Sequence, residues 1–265
     1  MSSRLSGKPP LLDRSSQNSD PPSRQLSFLD LSYPDVASNL ALDEALLLVA
    51  EEQRAGPSLR VWESQTYAVV LGASSRMHDD VDVSRCLADR VTIARRSSGG
   101  GTVVIGPGAL NFAVVLACDA APGLLAVDVA QRFVLERVAS AIRETGLSAT
   151  VQGSGDLTLG GRKFSGSAQR RLREFFMVHA SILYDFPIDR IAGWTRLPVR
   201  QPSYRGHRDH ADFLTNVDLP RGRLIDALKT AWLADVNPHS AMVPEDLVER
   251  LVQEKFGDPR WVERL

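Results

Sequence analysis

Cysteine is scarce. The 265 residues contain two, Cys86 and Cys118, far apart and without metal-ligand spacing. That argues against a disulfide framework and fits a reducing cytosol. A charge bias of either sign is missing as well: 31 Lys and Arg stand against 32 Asp and Glu, a net charge of -1. General nucleic-acid binding is therefore disfavoured. No apolar run approaches the roughly 20 residues that span a bilayer, and the N-terminus lacks the apolar segment of a secretory signal. The expectation is a cytoplasmic protein with no membrane or nucleic-acid partner. What is present is an apolar fraction of 43%, enough for a sizeable core.

The opening stretch is rich in Ser and Pro and has little apolar surface to offset the entropy of ordering, so 1–25 is expected to be a disordered tail. No internal repeat is visible. "SNLALDEALLLVAEEQR" reads as a helix with Ser38 as its cap. "LRVWE" and "YAVVLG" read as strands, "DVDVSRCLADR" as a short helix, and "LNFAVVLA" as a buried strand. A long helix fits "LAVDVAQRFVLERVASAIRETG", closed by Gly146. Gly160-Gly161 between extended segments predicts a hairpin. Alternation after it places Lys163, Ser165, Ser167 and Gln169 on one face. Helices dominate the remainder. The order predicts an α+β fold over 26–265: one mixed, mainly antiparallel sheet flanked by helices, not a doubly wound nucleotide-binding sheet.

Three features can carry chemistry. The first is "RRSSGGGTVV", where Gly99, Gly100 and Gly101 let a ligand approach the main chain and their N–H groups could cradle an anion. A plain hairpin turn would look the same. No Gly-Lys-Ser/Thr follows, and a strand rather than a helix comes next, so the run is neither a P-loop nor a dinucleotide fingerprint. Arg95 and Arg96 could pair with phosphate or carboxylate, but alternation sends them to opposite faces. The second feature is Lys163 in "GGRKFSG". It is either a solvated hairpin charge or an ammonium in a confined cleft, stabilising charge on carboxyl or phosphoryl oxygens. The third is Asp156, either a turn aspartate or a ligand for a magnesium ion whose shell substrate phosphates complete. "RQPSYRGHRDH" gathers Arg200, Arg205 and Arg208, a phosphate or acidic-protein grip or else a solvated run. His207 and His210 read as surface residues.

Taken together, "RRSSGGGTVV", then "GDLTLGGRKFSGSAQRR" and "FMVHASILYDF", resemble the lipoate–protein ligase family, which is related to biotin ligases and octanoyltransferases. "NLALDEALL", "HADFLTNVD" and "RWVERL" look like that family too, so the likeness runs over 26–265. The resemblance implies a biotin/lipoate-ligase type of catalytic domain that uses ATP and Mg2+ to join lipoate or octanoate to a lysine of a lipoyl carrier domain through an acyl-adenylate. It implies that Lys163 contacts the carboxyl and phosphoryl oxygens. Arg95 or Arg96, with Ser98, Gly99, Gly100 and Gly101, would line the acyl and phosphate path. Ser165, Gly166, Ser167 and Ala168 would pack along the substrate, and Asp156 would sit at the magnesium position. The family's histidine after the glycine strand is replaced by "IGPGALN", and the asparagine before its aspartate by "GSGD". The accessory domain of many ligases is missing after the catalytic domain, which leaves room for a separate accessory chain. A monomer is expected.

Octanoyltransferases use a cysteine nucleophile and no ATP. In their ligase-like branch that cysteine precedes the lysine hairpin, where this chain reads "SATVQGSGD". The missing thiol favours ATP-dependent ligation. Cys118 overturns that reading if its strand end opens onto the cleft. A third possibility is a non-catalytic binder of lipoyl domains or acyl groups.

Overall fold

The computed structural model describes residues 26–198, 201–232 and 243–265. The predicted tail at 1–25 and Arg200 lie outside them. Among the described residues there are ten strands: β1 (Ser27–Asp30), β2 (Ser58–Trp62), β3 (Ala68–Leu71), β4 (Thr92–Arg95), β5 (Val103–Ile105), β6 (Ala109–Ala117), β7 (Ala149–Gln152), β8 (Asp156–Leu159), β9 (Arg162–Arg171) and β10 (Phe175–Leu183). The helices are α1 (Val36–Glu51), α2 (Met77–Asp80), α3 (Val83–Ala88), α4 (Val127–Arg143), α5 (Ile191–Trp194), α6 (His210–Phe213), α7 (Arg221–Trp232), α8 (Glu245–Leu251) and α9 (Pro259–Val262).

Seven strands make one sheet in the order β1-β2-β6-β10-β9-β8-β7, antiparallel throughout except for β1 beside β2. The mixed, mainly antiparallel character matches the sequence expectation, but the count of sheets does not. β3, β4 and β5 form a separate three-stranded sheet, β4 parallel and β5 antiparallel to β3. These apolar strands pack face to face with the rest, so hydrophobicity alone does not distinguish a second sheet from more strands of the first.

The central strand β6 is buried along its whole length, as expected of a run that is apolar but for Asn111. One sheet face carries Leu110, Phe112 and Val114 of β6 with Phe176 and Val178 of β10, covered by α4. The other face carries Val115 and Met177, covered by α1, α8 and the small sheet. α1 is apolar nearly all round and is buried on nearly all sides. Its N-cap is Asp35, whose carboxylate accepts from the Ser38 N–H at 2.8 Å. Ser38 is thus the capped residue, not the cap, because Asp35 offers the better-placed acceptor one turn earlier.

Candidate active site

The glycine run forms the link between β4 and β5, and it is shaped from beneath by its own arginine. Arg96 is buried. Its Nε donates to Ser98 Oγ at 3.0 Å, Nη1 to the Val70 carbonyl at 3.2 Å, and Nη2 to the Gly99 and Gly101 carbonyls at 2.6 and 2.7 Å. Burial pushes this guanidinium down to about 10. With Gly99 and Gly101 carbonyls pulled inward, the backbone N–H groups turn elsewhere. Among the described residues, the N–H groups of Gly99, Gly100 and Gly101 donate to no protein acceptor, and all three glycines are exposed. Gly100 has φ +82° and stands over Ala168, with Gly72 so close that a Cβ there would run into the Gly100 carbonyl. Arg95 is fully buried, with Nη1 donating to Gly72 O and Ser75 O at 2.9 and 2.6 Å and Nε to Val262 O at 2.9 Å; its Nη2 has no partner. Both arginines therefore point inward, where alternation had sent them apart: the chain leaves β4 at Arg95, and the loop curls back over Arg96.

Ser98 joins this loop to the main sheet. Its Oγ lies 2.5 Å from Nε2 of His179 on β10, and His179 Nδ1 lies 3.8 Å from Asp43 Oδ2 on α1. Asp43 also accepts from Arg60 Nη1 at 2.5 Å and from the Trp62 indole at 3.2 Å. Burial raises the Asp43 carboxyl, but Arg60 and His179 outweigh it and hold it below the usual carboxylate range. A buried polar relay thus runs from α1 through the sheet to the glycine loop.

The hairpin forms the second arm. β8 and β9 meet at Gly160-Gly161, as expected, with Leu159 opposite Arg162. The register then shifts: Thr158 faces Lys163 and Leu157 faces Ser165, leaving Phe164 unpaired. This bulge overturns the simple alternation. Phe164 enters the α4-side core, and Ser167 Oγ bonds Gln131 of α4 at 2.9 Å and Gly155 O at 2.8 Å. Ser165 is buried with an unpartnered hydroxyl. Lys163 falls instead on the α1 side with Gly166, Ala168 and Arg170, because one extra residue reverses the face. That face is fixed by two contacts to α1: Arg170 to Glu44 at 3.1 Å, and His179, opposite Ala168, to Asp43.

Lys163 Nζ lies 2.7 Å from Asp156 Oδ1, and Tyr204 donates its hydroxyl to Asp156 Oδ2 at 2.6 Å. Burial, then Asp156, pushes the Tyr204 hydroxyl far above its ordinary value. The ammonium lies across Gly166, where a Cβ would approach Nζ to 2.6 Å. The Lys163 ammonium and the loop apex thus stand over Gly166 and Ala168, positions roughly 7 Å apart along β9. The structure therefore gathers Gly100, Gly166, Ala168, Lys163 and Asp156 on one face. It sends Ser165 and Ser167 to the other, and keeps Arg95, Arg96 and Ser98 beneath the loop. The arrangement leaves the loop amides without protein acceptors and the Lys163 ammonium paired with Asp156 alone among the described carboxylates.

Neither thiol is near. Cys118 is buried on the α4 side, with its Sγ 2.9 Å from Arg171 Nη1. Arg171 stands eight residues beyond Lys163 on β9, one of them the Phe164 bulge, roughly 23 Å at strand spacing. Cys86 is buried on α3 against the Trp194 carbonyl. Burial raises both thiols, Cys86 to about 11.

Asp43, His179 and Tyr204 were not singled out from sequence. The available signal was a carboxylate inside an apolar helix and one histidine inside an apolar strand, both costly unless paired.

The chain belongs to the lipoyl protein ligase A/B catalytic domain family, whose model matches residues 35–233. It is 28% identical over 157 residues to the "Probable lipoate-protein ligase A" of Mycoplasma pneumoniae, covering 58% of this chain and 44% of that protein. It spans less than half the length of that relative. It is 26% identical over 269 residues to octanoyltransferase LipM of Symbiobacterium thermophilum, covering 88% of this chain and 96% of the relative. In fold it matches the bi-partite lipoate protein ligase of Thermoplasma acidophilum with TM-score 0.76 at 22% identity, over 91% of this chain and 97% of that one. A lipoate-protein ligase A bound with ATP gives TM-score 0.76 at 23% identity, over 91% and 100%.

Proposed function

We propose that this chain joins lipoate or octanoate to a lysine of a lipoyl carrier domain, at the expense of ATP, through an acyl-adenylate. The observation that carries this reading is the pairing of unspent Gly99–Gly101 amides with the Lys163 ammonium on one face, with no thiol beside them. The substrate carboxylate oxygen attacks the α-phosphorus, and the bond to the bridging oxygen breaks as pyrophosphate leaves. The acceptor amine then attacks the acyl carbonyl, expels AMP and loses its proton. Both steps build negative charge on oxygens, which preorganised donors stabilise without reorganising. Lys163 bridges the carboxyl and phosphoryl oxygens, and the loop amides take the phosphate. Arg95, Arg96 and Ser98 act indirectly by setting the loop. Asp156 would hold magnesium: a single carboxylate suits an ion whose other ligands are water and phosphate, and magnesium would neutralise phosphate charge. Both Asp156 oxygens are engaged by Lys163 and Tyr204, so binding there requires Tyr204 to give way.

The acceptor is supported by the Thermoplasma relative, described with its E2 lipoyl domain; its bi-partite build is also the ground for a separate accessory chain here. ATP is supported by the nucleotide-bound ligase of like fold. A second reading, ATP-independent octanoyl transfer, is favoured by the near full-length match to LipM. It needs a nucleophilic thiol, and Cys118 lies on the wrong face. ATP–pyrophosphate exchange separates the two: exchange that depends on lipoate or octanoate is expected, and its absence alongside acyl transfer from a thioester donor would reverse the assignment.

A further inference from the structure

Residues 243–265 lie beyond the family match, which ends at 233, yet the polar contacts of Lys255, Trp261, Val262, Arg264 and Leu265 lead toward the glycine loop. The Trp261 indole donates to the Arg95 carbonyl at 2.9 Å, and Arg95 Nε returns a bond to Val262 O at 2.9 Å. The Met77 N–H donates to Leu265 O at 3.1 Å, and Arg264 donates to Ala73 O while stacking on Trp261. Ala73 N–H in turn holds the Ser98 carbonyl at 2.8 Å. A second line starts at Lys255, whose ammonium reaches both oxygens of buried Glu44 at 2.9 and 2.7 Å. Glu44 also pairs with Arg170 at 3.1 Å, and Arg170 Nη1 donates to the Ser97 carbonyl at 3.2 Å. Lys255 lies 4.6 Å from the Trp261 ring centroid, so the two lines are joined.

We infer that residues 252–265 form a clasp that positions the Arg95–Gly101 loop for its anion, with Trp261 and Lys255 as positioning residues. The segment also buries Phe256 in the α1-side core, but its hydrogen bonds go to Arg95 at the start of the loop and to the adjoining 72–77 turn, and through Ala73 and the Glu44–Arg170 pair they reach Ser98 and Ser97. A helix needed only for burial has no reason to spend its charged and polar groups there. The inference rests on the ligase reading for its catalytic consequence and on the geometry alone for its effect on the loop.

The test uses the full chain with Trp261→Phe, which keeps the ring and removes the N–H, and Lys255→Met beside Lys255→Arg. Amide exchange is followed at the Ala73 and Arg96 amides, which bond the Ser98 and Leu71 carbonyls at 2.8 and 3.0 Å and tie the loop to its base, and in control peptides from β6 and β10. Loss of a clasp bond is expected to speed exchange at these two amides by about tenfold, with the controls unchanged. In ATP–pyrophosphate exchange the KM for ATP is expected to rise severalfold more than kcat falls, and Lys255→Arg is expected to restore both. Equal acceleration in loop and control peptides would mean a merely structural role, and an unchanged loop would overturn the clasp. If the wild-type chain shows no ATP–pyrophosphate exchange but the loop still loosens in the variants, the ligase reading fails and the clasp stands.

Discussion

The glycine loop and the Lys163 hairpin meet on one face of β9, Gly100 over Ala168 and Lys163 over Gly166, but their charges are used in opposite directions. In the loop the cations turn inward: Arg96 donates four bonds, to Ser98, Val70, Gly99 and Gly101, and Arg95 fastens Gly72, Ser75 and Val262. What the loop offers outward is neutral backbone. In the hairpin the cation turns outward, held by Asp156 and laid across Gly166. On the proposed reading, scaffold charge and working charge are separated. A sequence shows the charges of both arms but not their direction.

Removing the working charge has the largest expected effect. Lys163→Ala should lower turnover by about 10²–10³-fold, the usual loss for one preorganised donor, while the thermal midpoint barely moves; near-normal turnover would remove Lys163 from the mechanism. Removing the scaffold charge should show the reverse balance. Arg96→Met leaves the Gly99, Gly101 and Val70 carbonyls without their donor and should cost about 2–3 kcal/mol of stability in denaturant unfolding, with activity falling as the loop loses its shape. A smaller effect is expected at the strap over the hairpin. Tyr204→Phe frees one oxygen of Asp156 and should lower the magnesium concentration for half-maximal ATP binding severalfold, read by calorimetry on the full chain; a raised requirement would mean that Tyr204 supports the carboxylate rather than blocks it.

The smallest effect is expected at the cysteines. Cys118→Ser should leave turnover nearly unchanged. Because burial raises both thiols, Cys86 to about 11, the thiolate is depleted at pH 8 relative to an ordinary cysteine near 8.5. Alkylation of the native protein should stay slow through pH 8–9 and rise only at higher pH. A thiol that reacts quickly at pH 8 would restore the thioester route.

Local patterns sufficed for much of this molecule. The apolar run of β6, the amphipathic α4 and the Gly160-Gly161 hairpin each follow from residues within one element. The loop and Lys163 were also visible, because glycine runs and isolated cations stand out from their neighbours. The bulge at Phe164 was not, since one inserted residue leaves the alternating pattern intact on either side while reversing the face of Lys163 relative to Ser165 and Ser167. The relay from Asp43 through His179 to Ser98 was hidden for a different reason. It joins α1, β10 and the glycine loop across long sequence separations, and only the packing of two sheets against α1 brings them together. The same holds for Trp261 and Lys255, which meet Arg95 and Glu44 from the far end of the chain.

The central claim is that unspent loop amides and one outward lysine serve an adenylate and not a thioester. The most direct measurement is the intact mass of an apo lipoyl carrier domain after incubation with this protein, once with free lipoate and magnesium ATP, and once with octanoyl carrier protein and no ATP. A mass gain confined to the first reaction is the predicted result. A gain confined to the second would contradict the account, because the acyl group would then have moved without the phosphate that the account assigns to the loop.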